Sequence, residues 1–167
     1  MNVPSSTNRL FKSTNPASWN EAADYASKEI HLLSACIDAS ISDVRDYFDS
    51  MVSKYFNVQG PTASGDWLVL GAKALVWGRK NNYYITQEEL ITTLVRKQRD
   101  YGHHNIAKFG RDGLLIRVHD KVARLENLIA NGSDAQNEPI RDTVLDIAGY
   151  SVIGVMWDRE QFLLELI

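Results

Sequence analysis

Two aspartates, Asp142 and Asp146, stand four residues apart in the segment 139–157, and Tyr150 follows four further on. On a helix these three share one side. Ile140, Val144, Leu145, Ile147, Ala148, Val152, Ile153, Val155 and Met156 cover nearly all the rest of the circumference, the pattern of a helix at the centre of a bundle. Two carboxylates on such a helix repel each other and lose hydration unless something positive lies beside them. Salt bridges to Arg or Lys meet that need. So does a divalent cation, because Mg²⁺ accepts carboxylates and keeps waters for substrate phosphates.

The preceding apolar stripe, Leu114, Val118, Val122, Leu125 and Ile129, shares its helix with a polar one. Arg117, Asp120, Lys121 and Arg124 fall at i, i+3, i+4 and i+7, so they sit together. Alone, such a face is a solvated surface laced with local ion pairs. Opposite the aspartate pair it takes a second meaning. Asp120 completes a set of three carboxylates for a metal, and Arg117, Lys121 and Arg124 neutralise polyphosphate oxygens. Glu126 aligns with His119 rather than with Asp120, which makes it a secondary metal ligand.

The segment Arg99-Asp100-Tyr101-Gly102-His103-His104-Asn105 gathers polar side chains at a helix-to-loop junction, where functional groups often stand on a rigid scaffold. Asp100 reads as a ligand or a helix-end residue, and Tyr101 as a stacking platform or a core filler. Adjacent histidines diverge on any regular backbone, so His103 and His104 do not grip one zinc together. Without Cys or HExxH nearby, a zinc enzyme is not expected. The chain has no GxxxxGK[ST], GxGxxG or GxSxG, which removes P-loop, Rossmann and serine-hydrolase readings.

Helices must position these groups, and the punctuation is helical throughout. Ser18-Trp19-Asn20-Glu21, Ser40-Ile41-Ser42-Asp43 and Thr86-Gln87-Glu88-Glu89 are capping-box patterns, each opening an apolar stripe. Further helices are expected over 66–79, from an Asp112 cap to about 131, and from about 138 to 158. Gly102 and Asn131-Gly132-Ser133 act as stops. Tyr83-Tyr84-Ile85 has strand composition but nothing to pair with. The expected fold is all-α, a bundle of about five to six helices over 18–167, with residues 1–17 as an irregular arm rich in Ser, Thr and Asn.

At 167 residues, 44% hydrophobic and 23% charged, the chain has the composition of a globular domain with its own core. The net charge of -3 hides a division, since residues 79–124 hold ten of the 18 bases and five of the 21 acids. One cysteine excludes a disulfide framework, and Cys36, in an apolar helical stretch, is expected as a buried structural thiol. No apolar run approaches the ~20 residues of a membrane span, and residues 1–16 do not resemble a secretory signal, so a cytoplasmic location is expected.

Three blocks together carry a resemblance. They are Lys97-Gln98-Arg99-Asp100-Tyr101-Gly102, then the stretch from Gly113 through Arg117-Val118-His119-Asp120-Lys121 to Leu128, and Ile140-Arg141-Asp142-Thr143-Val144-Leu145-Asp146-Ile147-Ala148-Gly149-Tyr150. In this order, over residues 86–157, they resemble the nucleotide modification associated domain 1 family of bacteriophages. That family looks related to the all-α nucleoside triphosphate pyrophosphohydrolases of the MazG and dimeric dUTPase-like group. The resemblance implies a bundle that binds Mg²⁺ (with Mn²⁺ as the substitute) through acids on two neighbouring helices and cleaves an NTP or dNTP to a monophosphate and pyrophosphate. It makes Asp142 and Asp146 the acids of the second metal helix and Asp120 that of the first. Asp100, Arg117, Lys121 and Arg124 then fall at nucleotide-contacting positions, with Tyr101 or Tyr150 bordering the base. A homodimer or tetramer is implied, acting in the host cytoplasm if phage-encoded.

MazG-like proteins carry ExxE and then ExxD, whereas here Ala123 stands three after Asp120 and the second pair is DxxxD. A reduced metal complement or a loss of hydrolysis is the implied consequence. Two functions from different classes therefore follow: a Mg²⁺-dependent nucleotide pyrophosphohydrolase, and a non-catalytic nucleotide-binding accessory protein of nucleotide or DNA modification. A helical DNA-binding protein using the basic middle is a third. Its bases alternate with apolar positions and Asp120 instead of forming a phosphate-tracking arm, so direct nucleic-acid binding is not expected.

Overall fold

The structure, a computed structural model, describes residues 15–60, 64–132 and 137–167; the arm expected over 1–17 lies outside them except for its last three residues. Among the described residues there are seven helices and no strand: α1 (Trp19–Ser34), α2 (Ile41–Tyr55), α3 (Ser64–Lys80), α4 (Gln87–Tyr101), α5 (His104–Ala107), α6 (Gly110–Asn131) and α7 (Asn137–Asp158). The all-α expectation holds, with one short helix more than the sequence suggests.

The caps read from sequence close as expected. Ser18, Ser40 and Thr86 each accept from the backbone N–H three residues on, and Ser40 with Asp43 forms the full reciprocal box. Glu89 departs from the pattern. Its carboxylate takes the Arg141 guanidinium of α7 instead of reaching back to its own N-cap. Asp112 is not a cap either, because α6 begins two residues earlier and Asp112 accepts from the Asn57 N–H at 3.1 Å. Tyr83 is no strand residue: its N–H donates to Gly78 O at 2.7 Å, and its ring stacks on Trp77.

α7 is the central helix, as its apolar circumference requires, and it packs against α1, α3, α4 and α6. Its pairing with α3 is antiparallel and close. Gly154 lies against the Trp67 indole, Gly71 against Ser151, and Gly78 against Val144, so small residues of each helix admit the other's bulk. α6 runs antiparallel to α7 on another side, from Gly110 against Trp157 to Lys121 against Asp146. The Leu114, Val118, Val122 and Leu125 stripe of α6 is buried as read.

Polar ties hold the periphery. Arg45 of α2 donates to Glu126 of α6. Arg111 lies over the Tyr55 ring and donates to the carbonyls of Tyr55, Val58 and Gly60, binding the end of α2 to α6. Asp66, in the first turn of α3, accepts from Tyr47, Tyr55 and Lys54 of α2. Burial works against its charge, but those hydrogen bonds outweigh burial and hold its carboxyl below the ordinary range.

One expectation is corrected. Cys36 is exposed rather than buried, because α1 ends at Ser34 and leaves the thiol beyond the last turn. The segment 161–167 packs on its own domain: Phe162 is buried against Trp19 and Trp157, and Trp19 N–H donates to Glu165 O at 2.9 Å.

Candidate functional site

α4 and α6 stand on either side of α7 and leave a cleft between them whose floor is α7. The cleft has a cavity volume of about 240 Å³, just below the range of small-molecule sites, roughly 300–1,000 Å³. Its floor and inner wall are apolar: Trp19, Leu90, Leu94, Leu145, Gly149 and Ile153. Periodicity accounts for the α4 wall, since Leu90, Leu94, Lys97 and Tyr101 lie at i, i+4, i+7 and i+11 and share one face. Gly149 keeps the floor low, because a Cβ there would come within 3.3 Å of Leu94 Cδ2.

The polar groups converge at the rim. Lys97 Nζ of α4 lies 3.1 Å from Asp146 Oδ1, and Lys121 Nζ of α6 lies 2.9 Å from Asp146 Oδ2. Arg117 borders the same cleft one turn from Lys121, and its guanidinium makes a long contact of 3.5 Å to Asn105 O. Two ammonium groups therefore hold a single carboxylate, with Arg117 a third cation on the rim of the same cleft. Tyr150 lines the floor side and Tyr101, 67% exposed, forms the outer lip, so Tyr101 is not a core filler. Gln98, which is buried, joins its amide to His103 Nδ1 at 2.7 Å and closes the end toward α5.

Of the residues singled out from sequence, Tyr101, Arg117, Asp146 and Tyr150 line this cleft, and Lys121 joins them through Asp146. The others do not. Asp100, Asp120, Arg124 and Asp142 are exposed and outside the lining, and Glu126 is engaged by Arg45. The aspartate pair is thus not buried together; Asp142 faces solvent one turn beyond Asp146. Lys97, Gln98 and Trp19 belong to the cleft but were not singled out as site residues. The i, i+4 step from Lys97 to Tyr101 was the available signal.

Among the described residues no three His, Cys, Asp or Glu side chains gather closely enough to hold a metal ion. Asp146 is the one carboxylate of the proposed Mg²⁺ set within the cleft, and both its oxygens already carry ammonium groups. The donors as arranged do not fit a resident Mg²⁺, which needs near-octahedral oxygen ligation from one or two free carboxylates.

The basic middle of the sequence is not one surface. Arg79 donates to Ser34 O, Lys80 pairs with Asp38, Arg111 holds backbone carbonyls, and Lys97 with Lys121 holds Asp146. A second depression of about 410 Å³, beside Gly60, Arg111, Asp112 and Glu160, is more open. The α4–α6–α7 cleft is the better defined site: a small apolar pocket with aromatic borders and a cationic rim. Compared with protein families, with curated proteins and with solved structures, the chain matches none.

Proposed function

We propose that the cleft binds a nucleotide, with the base against the apolar floor between Tyr101 and Tyr150 and the phosphates at Lys97, Lys121 and Arg117. The observation that carries this reading is the convergence of three cations from two helices on the rim of an apolar, aromatic-bordered pocket. Flat apolar surface suits a base, and charge-assisted N–H···O bonds from Lys and Arg suit phosphate oxygens. The same placement favours a nucleotide-binding accessory role over pyrophosphate hydrolysis. Asp120 and Asp142, which hydrolysis would need beside Asp146, stand apart from it in solvent.

The test is to titrate the protein with each NTP and dNTP in EDTA and again in Mg²⁺, assaying pyrophosphate in the same samples. Binding that survives EDTA without pyrophosphate release supports the reading. Mg²⁺-dependent release of pyrophosphate that disappears in Asp120→Asn would replace it with the hydrolase. No binding of any nucleotide would end both.

A further inference from the structure

Asp146 is placed where a bound phosphate would be. It projects from the middle of the cleft floor, its side chain is 20% exposed, and its two oxygens accept from Lys97 on one wall and Lys121 on the other. A carboxylate held by two ammonium groups makes the same charge-assisted bonds that a phosphate oxygen pair would make. Being attached to the site, it competes as an intramolecular partner, at an effective concentration set by its own tether.

We infer that Asp146 is a built-in competitor for the phosphate subsite, yielding Lys97 and Lys121 only to a polyanionic phosphate chain. This rests on the nucleotide reading above and adds a selectivity to it. Asp146 carries one charge. A single phosphate gains little by displacing it, whereas a di- or triphosphate brings further negative charge that also engages Arg117. Once displaced, Asp146 repels the incoming chain, so it raises the threshold for every anion, and a polyphosphate overcomes it through the further bond to Arg117. Uncharged ligands of the apolar floor are unaffected.

The prediction has the opposite sign from that of a metal ligand or a substrate-contacting acid. Asp146→Asn keeps the shape and removes the charge. Calorimetric titration in EDTA at fixed ionic strength is expected to show ATP and inorganic tripolyphosphate binding about tenfold more tightly to Asp146→Asn than to the parent, equivalent to ~1.4 kcal/mol. AMP gains as well, and adenosine changes less than twofold. Asp146→Ser, smaller and equally uncharged, gives the same ordering and guards against a fault peculiar to the amide; a thermal melt of each variant establishes that it is folded. Unchanged or weaker binding of both polyphosphates in the folded variants overturns the inference while leaving nucleotide binding by the parent intact. Tighter tripolyphosphate binding with no affinity for any nucleotide upholds the competitor and removes the nucleotide reading. A purely structural ion pair would alter the melting temperature and leave the affinity ratios where they were.

Discussion

Gly154 of α7 lies flat against the indole of Trp67 on α3, so close that a Cβ at 154 would overlap the ring. Alanine favours helix over glycine by about 1 kcal/mol, yet here that gain is outweighed. The bulky neighbour is a buried ring at the tightest helix crossing, and overpacking of this kind costs about 1–3 kcal/mol, occasionally more. Gly154→Ala is expected to lower the urea midpoint clearly. Gly65, in the first turn of α3 with nothing within 4 Å of its missing Cβ, gives the opposite sign: Gly65→Ala leaves stability unchanged or raises it by up to ~1 kcal/mol.

Arg117 provides the test of the cleft as an anion site. It has no carboxylate partner among the described residues, so its removal disturbs the fold little. Arg117→Ala is expected to reduce nucleoside triphosphate affinity roughly tenfold, the scale of a charge-assisted bond, and to flatten its dependence on ionic strength. Arg124→Ala, exposed and outside the lining, should change affinity by less than twofold in the same titration.

The Asp66 cluster predicts the acid limb of the stability curve. Burial raises the carboxyl's pKa, and the hydrogen bonds from Tyr47, Tyr55 and Lys54 more than reverse it, leaving the folded value below the unfolded one. Its stabilisation is therefore present above the unfolded pKa, ~3.9, and lost as pH falls through the folded value. Glu89 acts alike: its hydrogen bond from Arg141 lowers its pKa against an opposing burial effect. Chemical denaturation between pH 7 and pH 2 should show stability falling below about pH 4, with a shallower fall in Asp66→Asn. An identical slope in parent and variant would sink the assignment.

Phe162 seals the domain after its last helix. The ring is buried, edge-on to Trp19 and His103 and tilted against Trp157. Phe162→Ala is expected to cost roughly 3–5 kcal/mol in urea denaturation. Because Trp19 also lines the cleft, nucleotide affinity should weaken even at temperatures where the variant remains folded.

Local rules accounted for most of the helices and part of the site. The caps at Ser18, Ser40 and Thr86 depend on a hydroxyl and its neighbours three residues on, and the central place of α7 depends on its own apolar circumference. These are legible because each is decided within one turn or one helix. Asp142 shows the limit: sequence puts it on the side of Asp146, but only the packing of α4 and α6 on α7 decides that the cleft stops one turn short of it. Glu89 and Glu126 were each claimed by an arginine from another helix, a competition that spacing within their own helix does not reveal. Cys36 was misplaced by two residues at a helix end, where boundaries are least determined.

Trp19 stands at the first position of α1, yet what holds it comes after α7 in the chain. Its backbone N–H is bound by Glu165 and its ring by Phe162, more than 140 residues later in the chain. During synthesis, residues 19–132 can emerge and collapse with this wall of the cleft unsupported. α7 then brings the floor, and the segment after α7 fixes Trp19. Such distant closure contributes slow, late steps to folding. The Trp19 wall of the cleft is thus completed after the α7 floor, and a nascent chain whose Phe162 is still within the ribosome presents α4 and α6 beside an unfixed Trp19.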